Sequence, residues 1–468
     1  MSLPEDYARL ASELKKLAKL LEVWTMKLKK LIGMLAVVIL AIPGIATATN
    51  GYFAHGYGMK AKGMGGAATA MASDAMGGAN NPASMVWVGD RLDIGIDWFR
   101  PIRSAKREGS IGSANDFSQQ SDSNNFFIPE FGYNKMLNND LSLGVTVSGN
   151  GMNTDYAGGT NTPAACTGGV NPSTAPVLNG LCGSGKLGVS IEQVVIAPTL
   201  AYKIDSNNAI GVAPLLAYQR FYANGLNAFA PYSLYPRNLT NQGYDSATGL
   251  GMRIGWQGRV SDSVTLGAAY SSKVHMGRFD KYKGLFAEQG GFDIPENYSL
   301  GIAWKVVPVV TLTLDYERIN YGGVKSIADS SLTVCAAPNP PSGPATGSGC
   351  LGGSNGMGAG WSNVDVWKLG AEWQYSRELT LRAGFNHGDQ PIQSNNVTSY
   401  ILASAVVQDH LTLGGTYAFS ANSELTVAYM HAFEKSVSGP TNPLFPVGGT
   451  EAIKMVQDSL GVSYGVKF

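Results

Sequence analysis

From Arg91 to the last residue the chain repeats one short pattern, an apolar side chain at every second position with glycine, threonine, serine or a single charge between. In RLDIGIDWF the apolar set is Leu92, Ile94, Ile96 and Trp98; in LSLGVTVSG it is Leu141, Leu143, Val145 and Val147. VTLGAAYSS, LTLRAGFNH, LTLGGTYAF and LTVAYM repeat it further on. A period of two with one apolar face is a β-strand whose faces meet different surroundings. Because a slip of one residue would exchange the faces, the pattern constrains the fold more tightly than any other feature.

The connections alternate too. Tight ones fall at 137–140, 204–208, 260–263, 376–378 and 420–423. Long ones fall at about 103–124, 157–187, 223–245, 280–291, 322–362, 388–403 and 437–452. Short turns at one rim and long loops at the other are the pattern of an outer-membrane barrel. Strands are expected to start near 91, 126, 141, 190, 209, 247, 264, 293, 309, 363, 379, 405, 424 and 453. That is an all-β, 14-stranded antiparallel transmembrane β-barrel. A secreted sandwich would turn polar side chains to solvent, whereas here the consistent face is apolar. Charged residues are only 15 % of the chain, against roughly 25 % in soluble proteins. Net charge is zero, so no nucleic-acid footprint is present.

Export is written near the start. Lys27, Lys29 and Lys30 precede an apolar run from Leu31 to Ile42, Pro43-Gly44 breaks it, and Ala46-Thr47-Ala48 is a small-x-small cleavage site. The run is too short for a helix that spans a bilayer, which needs about 20 residues, and reads as a signal peptide over 26–48. Residues 1–25 carry a leucine stripe at Leu10, Leu14, Leu17 and Leu21. They are read as an upstream extension from a mis-assigned start. Removing 1–48 leaves a slightly acidic chain. Cys166 and Cys182 flank one Gly/Pro/Ser-rich loop and Cys335 and Cys350 another. In an oxidising compartment these are two local disulfides. The five histidines are scattered singly and no CxxC occurs, so no metal and no cofactor is expected. His387, Asp389 and His275 have no evident nucleophile partner, and no enzyme is expected.

The chain stops at Phe468, on the parity of Leu460, Val462, Tyr464 and Val466. A terminal aromatic on a lipid-facing row resembles the signal read by the barrel-assembly machinery, an expected partner along with outer-membrane lipid. The last strand must also pair with the first, because an open edge in lipid leaves backbone groups unsatisfied.

Residues 49–90, ahead of the barrel over 91–468, do not alternate. They are rich in glycine, alanine and methionine, a composition that packs compactly into a lumen. In GYGMKAKGMGGA (56–67), NPASM (81–85) and the block FFIPEFGYNKMLNNDLSLGVTVSGNGMNTDY (126–156), the chain resembles the FadL/TodX family of outer-membrane transporters for hydrophobic compounds. The resemblance implies that 49–90 is a hatch, with Asn81, Pro82 and Ala83 as its NPA motif. It implies an inward kink in the third strand at Gly149, Asn150 and Gly151, where a β-bulge is expected. It implies a capture groove on two extracellular loops, with Leu226, Phe229, Tyr232, Leu234, Tyr235, Leu285 and Phe286.

Strand parity turns Arg253, Lys273, Lys368 and Arg382 inward, as possible contacts for a carboxylate head group. The function so implied is passive uptake of a hydrophobic small-molecule ligand, long-chain fatty acids first, by a monomer. Surface capture, hatch movement and lateral exit through the wall would be its steps. Aromatic or alkane hydrocarbons are the alternative cargo, and a surface adhesin or structural barrel is the alternative role.

Overall fold

A computed structural model describes residues 50–161, 166, 177–331, 335, 345–443 and 447–468. The expected signal peptide over 26–48 and the expected upstream extension over 1–25 lie outside the described residues. Among the described residues fourteen strands close into one antiparallel barrel, each pairing with its chain neighbours. They are β1 Arg91–Glu108, β2 Phe126–Met136, β3 Leu141–Tyr156, β4 Leu187–Lys203, β5 Asn208–Asn224, β6 Asp245–Arg259 and β7 Val264–Ser271. There follow β8 Asn297–Val307, β9 Val310–Ile319, β10 Val364–Gln374, β11 Leu379–Gly388, β12 Asp409–Ser420, β13 Ser423–Pro440 and β14 Thr450–Lys467. β14 closes onto β1 in an unbroken register from Arg91 opposite Lys467 to Glu108 opposite Thr450. No backbone edge is left at that seam, as lipid requires.

The alternation sorts side chains as expected. Ile94, Trp98, Leu369, Trp367, Leu413 and Leu460 are exposed on the outer face, while Asp93, Asp97, Lys368, Thr412 and Ser459 are buried on the inner one. Past the seam, the Phe468 ring stacks on Tyr133 at 6.0 Å, and its N–H donates to the Asp90 carbonyl at 3.2 Å.

Two boundaries move by four residues. β8 starts at 297 rather than 293, and β12 at 409 rather than 405. Ile294, Val406 and Val407 are apolar because they pack beneath the loops, where they are buried, and not because they face lipid.

Both expected disulfides are present, Cys166–Cys182 and Cys335–Cys350. Peptide mapping without reductant should recover these two pairings. Replacing either pair by serine should destabilise its loop by about 3 kcal/mol in the chain-entropy view. Free thiols or crossed pairs in the map would refute the assignment.

Candidate functional site

Residues 50–90 lie inside the barrel, and the inner face of the wall is built to receive them. Where plug backbone approaches a strand, the strand places a glycine. A Cβ on Gly211 of β5 would sit 2.4 Å from the Pro82 carbonyl carbon, one on Gly267 of β7 2.1 Å from the Thr69 oxygen, and one on Gly384 of β11 2.1 Å from the Gly65 nitrogen. These are distances that no side chain could occupy.

Between the glycines, polar side chains of the wall hold the plug's main chain. Asp315 accepts from the N–H groups of Ala68 and Thr69, both at 2.8 Å. Asp93 accepts from Ala75 at 2.8 Å. Gln257 donates to the Ala70 carbonyl at 3.0 Å. Asn134 donates to the carbonyls of Met85 and Gly89, each at 2.8 Å. Lys62 of the plug bridges Asp97 at 2.8 Å and Glu130 at 2.7 Å, all three buried. Buried charges so paired avoid the penalty that an isolated one would carry.

The NPA residues sit where plug and wall join. Asn81 is fully buried, and its amide donates to Thr69 of the plug at 2.8 Å and to the Trp256 carbonyl of β6 at 2.9 Å. Its side-chain oxygen caps the next turn by accepting from Ala83 at 3.0 Å, and Pro82 supplies the first position of that turn, where no N–H is needed. Gly255 faces Asn81 with no room for a Cβ.

Residues 50–57 form a strap above this body. Tyr321 donates to the Asn50 carbonyl at 2.6 Å and accepts from the Tyr52 N–H at 3.1 Å. The Tyr52 ring packs among Phe53, Phe292, Tyr321 and Trp361. On the far side Asn150 of β3 accepts from the Ala54 N–H at 3.3 Å and the Tyr57 hydroxyl at 3.1 Å. His55 stacks on His410 of β12, ring centres 6.2 Å apart. The strap rests on Gly66, whose φ of +85° and contact with the His55 carbonyl oxygen admit only glycine.

Burial holds His55 well below its ordinary value of 6.5, helped by His410 and Lys62. A depressed imidazole contributes stability that is present above 6.5 and lost as pH falls through the folded-state value. Hydrogen-exchange protection of residues 50–57 should therefore drop on acidification, and a His55→Gln, His410→Gln variant should lose that dependence. Equal protection at neutral and acid pH in the parent would refute it.

The wall parts at β3. β2 and β3 pair from Met136 opposite Ser142 up to Phe131 opposite Val147 and no further. Above that point Phe126 to Glu130 still pair with β1, and β3 still pairs with β4 along its whole length. From Val145 to Gly151 every residue of β3 is buried, the lipid-facing parity included, and so is every residue of β4 from Leu187 to Gln193. The upper halves of these two strands have left the lipid surface for the interior. Above the gap, the Asp122 backbone N–H donates to the Asp155 carbonyl at 2.7 Å and the Asp155 backbone N–H to the Ser121 hydroxyl oxygen at 3.0 Å. A window bounded above and below results.

Gly149, Asn150 and Gly151 lie on its β3 edge, but the bulge expected there is absent, since they face Val194, Gln193 and Glu192 in unbroken register. A whole strand end swings inward instead of one extra residue being inserted.

Above the strap is an apolar cavity of about 180 Å³. Tyr52 is part of its lining, with Met152 of β3, Val189 and Ile191 of β4 and Phe221 of β5. Loop residues complete its lining: Leu226, Phe229, Leu285, Phe286, Phe292, Leu351, Met357, Trp361 and Leu402 among them. Its polar lining is neutral, from Ser326, Ser331, Ser399 and Asn442, and no ionisable Lys, Arg, His, Asp or Glu lines it among the described residues.

The groove expected on two loops is a half-open apolar cavity to which further loops contribute, Leu351 to Trp361 foremost. Leu226, Phe229, Leu285 and Phe286 line it, while Tyr232 and Leu234 pack on the Cys335–Cys350 region and Tyr235 lies beneath the Lys283 ammonium at 4.9 Å. The Leu351 to Trp361 segment is tied on where Leu351 exchanges backbone hydrogen bonds with Tyr232 and Leu234, both 3.0 Å. The only hint of it in the sequence was a run of Leu351, Met357 and Trp361 in an otherwise glycine-rich loop.

The four basic candidates also miss the cavity. Lys368 pairs with Glu317 at 2.6 Å and Arg382 with Glu372 at 2.7 Å. Lys273 donates to the Gly323 carbonyl. Arg253 donates to Ser271 at 2.7 Å and lines a separate polar pocket of about 30 Å³ beside the plug. Sequence reading passed over a different cation. Arg103 of β1 is buried near the window, donates to the Ser123 carbonyl and lies 5.7 Å from the Phe126 ring centre. No carboxylate pairs with it among the described residues.

A family model described as outer membrane protein transport protein (OMPP1/FadL/TodX) matches residues 182–445, more than half of the chain. No curated protein matches. The Pseudomonas putida toluene transporter TodX superposes with a TM-score of 0.63 at 18 % identity, over 88 % of this chain and 99 % of that one. The Ralstonia pickettii toluene transporter TbuX gives 0.58 at 15 %, over 88 % and 99 %. A Pseudomonas aeruginosa FadL homologue gives 0.62 at 14 %, over 91 % and 99 %. At such identities these likenesses establish the shared barrel fold.

Proposed function

The chain belongs to the OMPP1/FadL/TodX family of outer membrane transport proteins, and from that premise we propose that it admits neutral, monoaromatic-sized hydrophobic molecules by passive diffusion. The family is one of hydrophobic uptake channels in the outer membrane, not of enzymes. The observation that carries the finer reading is the cavity, which offers about 180 Å³ with no charged lining among the described residues. Apolar cavities of roughly 150 Å³ stay dry and take benzene. A carboxylate buried against this lining would meet no counter-charge among the described residues, and burying one unpaired costs several kcal/mol. The solved relatives named for toluene transport agree with that chemistry.

In this reading ligand adsorbs among the apolar loops, occupies the chamber above Tyr52, and passes Met152 to the window as the strap shifts. Exit is lateral, into the membrane, between β2 and β3. The plug body stays seated, since its backbone is wedged against wall glycines. Cells carrying the protein should take up labelled toluene faster than cells lacking it, and labelled oleate no faster. The opposite pattern would overturn the reading. Arg103 favours a second reading, carboxylated cargo, because an unpaired buried guanidinium is costly unless an anion reaches it. If that holds, Arg103→Met should abolish oleate uptake and leave toluene uptake alone.

A further inference from the structure

We propose that Asp74 is a proton-operated lock on the plug body: carrying a proton it seats residues 58–90 against β1 and β2, and ionised it loosens that seat. The seat holds more negative charge than positive. Five carboxylates meet there, Asp74 of the plug, Asp93 and Asp97 of β1, Glu130 of β2 and Glu424 of β13. Three cations answer them, Lys60 and Lys62 of the plug and Arg91 of β1. All but Glu424 are buried, and its side chain is only 15 % exposed.

Every one of these cations is already engaged. Lys60 reaches Glu424 at 2.5 Å. Arg91 holds Asp93 at 2.7 Å and pairs with Glu424 as well. Lys62 is shared by Asp97 and Glu130. Arg382 of β11, which acts on Lys60 from further off, is itself matched by Glu372 at 2.7 Å. No cation pairs with Asp74 among the described residues. Its carboxylate accepts from the Met76 N–H at 3.0 Å, two residues along its own chain. A buried carboxylate so placed is costly when charged, and a proton is the smallest ligand that removes the charge.

The backbone keeps Asp74 among its like-charged neighbours. The next N–H, of Ala75, is bound by Asp93 at 2.8 Å. Gly132 of β2 presses on the same residue, since a Cβ there would lie 2.6 Å from the Ala75 carbonyl carbon. Gly58 stands between Asp74 and Glu130. Its N–H donates to Glu130 Oε1 at 3.4 Å, and a Cβ on it would lie 3.4 Å from both Asp74 carboxylate oxygens. The other Glu130 oxygen is buried and takes no hydrogen bond among the described residues.

Burial, and then Asp93, push the Asp74 carboxyl up to about 6. Out of the seat it would return to the ordinary aspartate value of about 3.9. A carboxyl raised in this way stabilises the seated state fully below the unseated value, and that contribution is lost as pH rises through the seated one. The strap above has the opposite sign, because His55 loosens it on acidification. Acid therefore frees residues 50–57 and locks the body beneath them.

Hydrogen exchange of the full barrel tests the proposal, read as protection factors so that the intrinsic pH dependence of exchange is removed. Protection of the Ala75 and Met76 amides should fall about tenfold per pH unit between about pH 4 and about pH 6 and then level off. Asp74→Asn keeps the size and the acceptor for Met76 but cannot ionise, and should hold the acid-side protection throughout. Residues 50–57 should keep their opposite dependence in that variant, which shows the plug in place. A flat profile in the parent would overturn the proposal, as would protection that rises with pH. A slope that persists in Asp74→Asn would overturn it too, by assigning the proton to another group of the seat.

Discussion

A valine at Gly384 is expected to unseat the plug while leaving the barrel closed. The new Cβ would lie 2.1 Å from the Gly65 nitrogen and 2.1 Å from the Met64 carbonyl carbon. Neither neighbour is a side chain that can rotate away. Overpacking usually costs 1–3 kcal/mol because side chains move aside, and against backbone it should reach roughly 3 kcal/mol or more. Roughly 3 kcal/mol shifts a seated-to-unseated equilibrium about a hundredfold. The strand itself keeps its register and its lipid face, so assembly and heat-modifiability should persist. Planar-bilayer conductance should rise toward that of an unplugged barrel. Gly415→Val is the control, because there a Cβ meets only Leu381 and Thr380 at 3.8 Å. A folded Gly384→Val barrel with parental conductance would show that the plug is not wedged in place.

Bridging the window is expected to stop uptake. Ile128 on the β2 edge and Met152 on the β3 edge lie on opposite sides of the unpaired stretch. Among the described residues no cysteine is free, so cysteines at these two positions can be joined alone by a cleavable cross-linker of chosen length. Toluene uptake should fall to that of cells lacking the protein when the bridge forms, and return when it is cleaved. The same protein before and after cleavage separates blockage from any effect of the substitutions. Full cross-linking with unchanged uptake would place the exit at the periplasmic mouth instead. Deleting Asn150, an obvious alternative, would not test the window. With no bulge to remove, it would reverse the parity of every residue from Gly151 to Tyr156 against β4.

The sequence by itself determined the barrel. A strand between lipid and lumen must alternate at every step, because its two faces meet unlike surroundings along its full length. Leu141 and Leu143, or Leu460 and Val462, therefore announce their face locally. Strand number, closure and the rims follow from counting such segments and their turns. The two disulfides were legible for a similar reason, each joining cysteines across a single loop.

What the tertiary structure decided lies where distant segments meet. The same residue type, glycine, serves as wall spacer at Gly211 and as lipid-face filler at Gly415, and only contact with the plug separates them. The window has no local signature, since β3 keeps perfect register with β4 while losing β2. Hydrogen bonding across a gap belongs to two strands and not to either sequence. Arg253, Lys368 and Arg382 were correctly turned inward by parity, yet parity is silent on what stands opposite. Glu317 pairs with Lys368 and Glu372 with Arg382, and none of the three basic residues lines the apolar cavity. The cavity itself needs Leu351 beside Ser233 and Tyr52 beside Tyr321, pairs far apart along the chain. Alternation is imposed residue by residue by the solvent on each side, whereas a cavity is the space left over when several folded segments fail to touch.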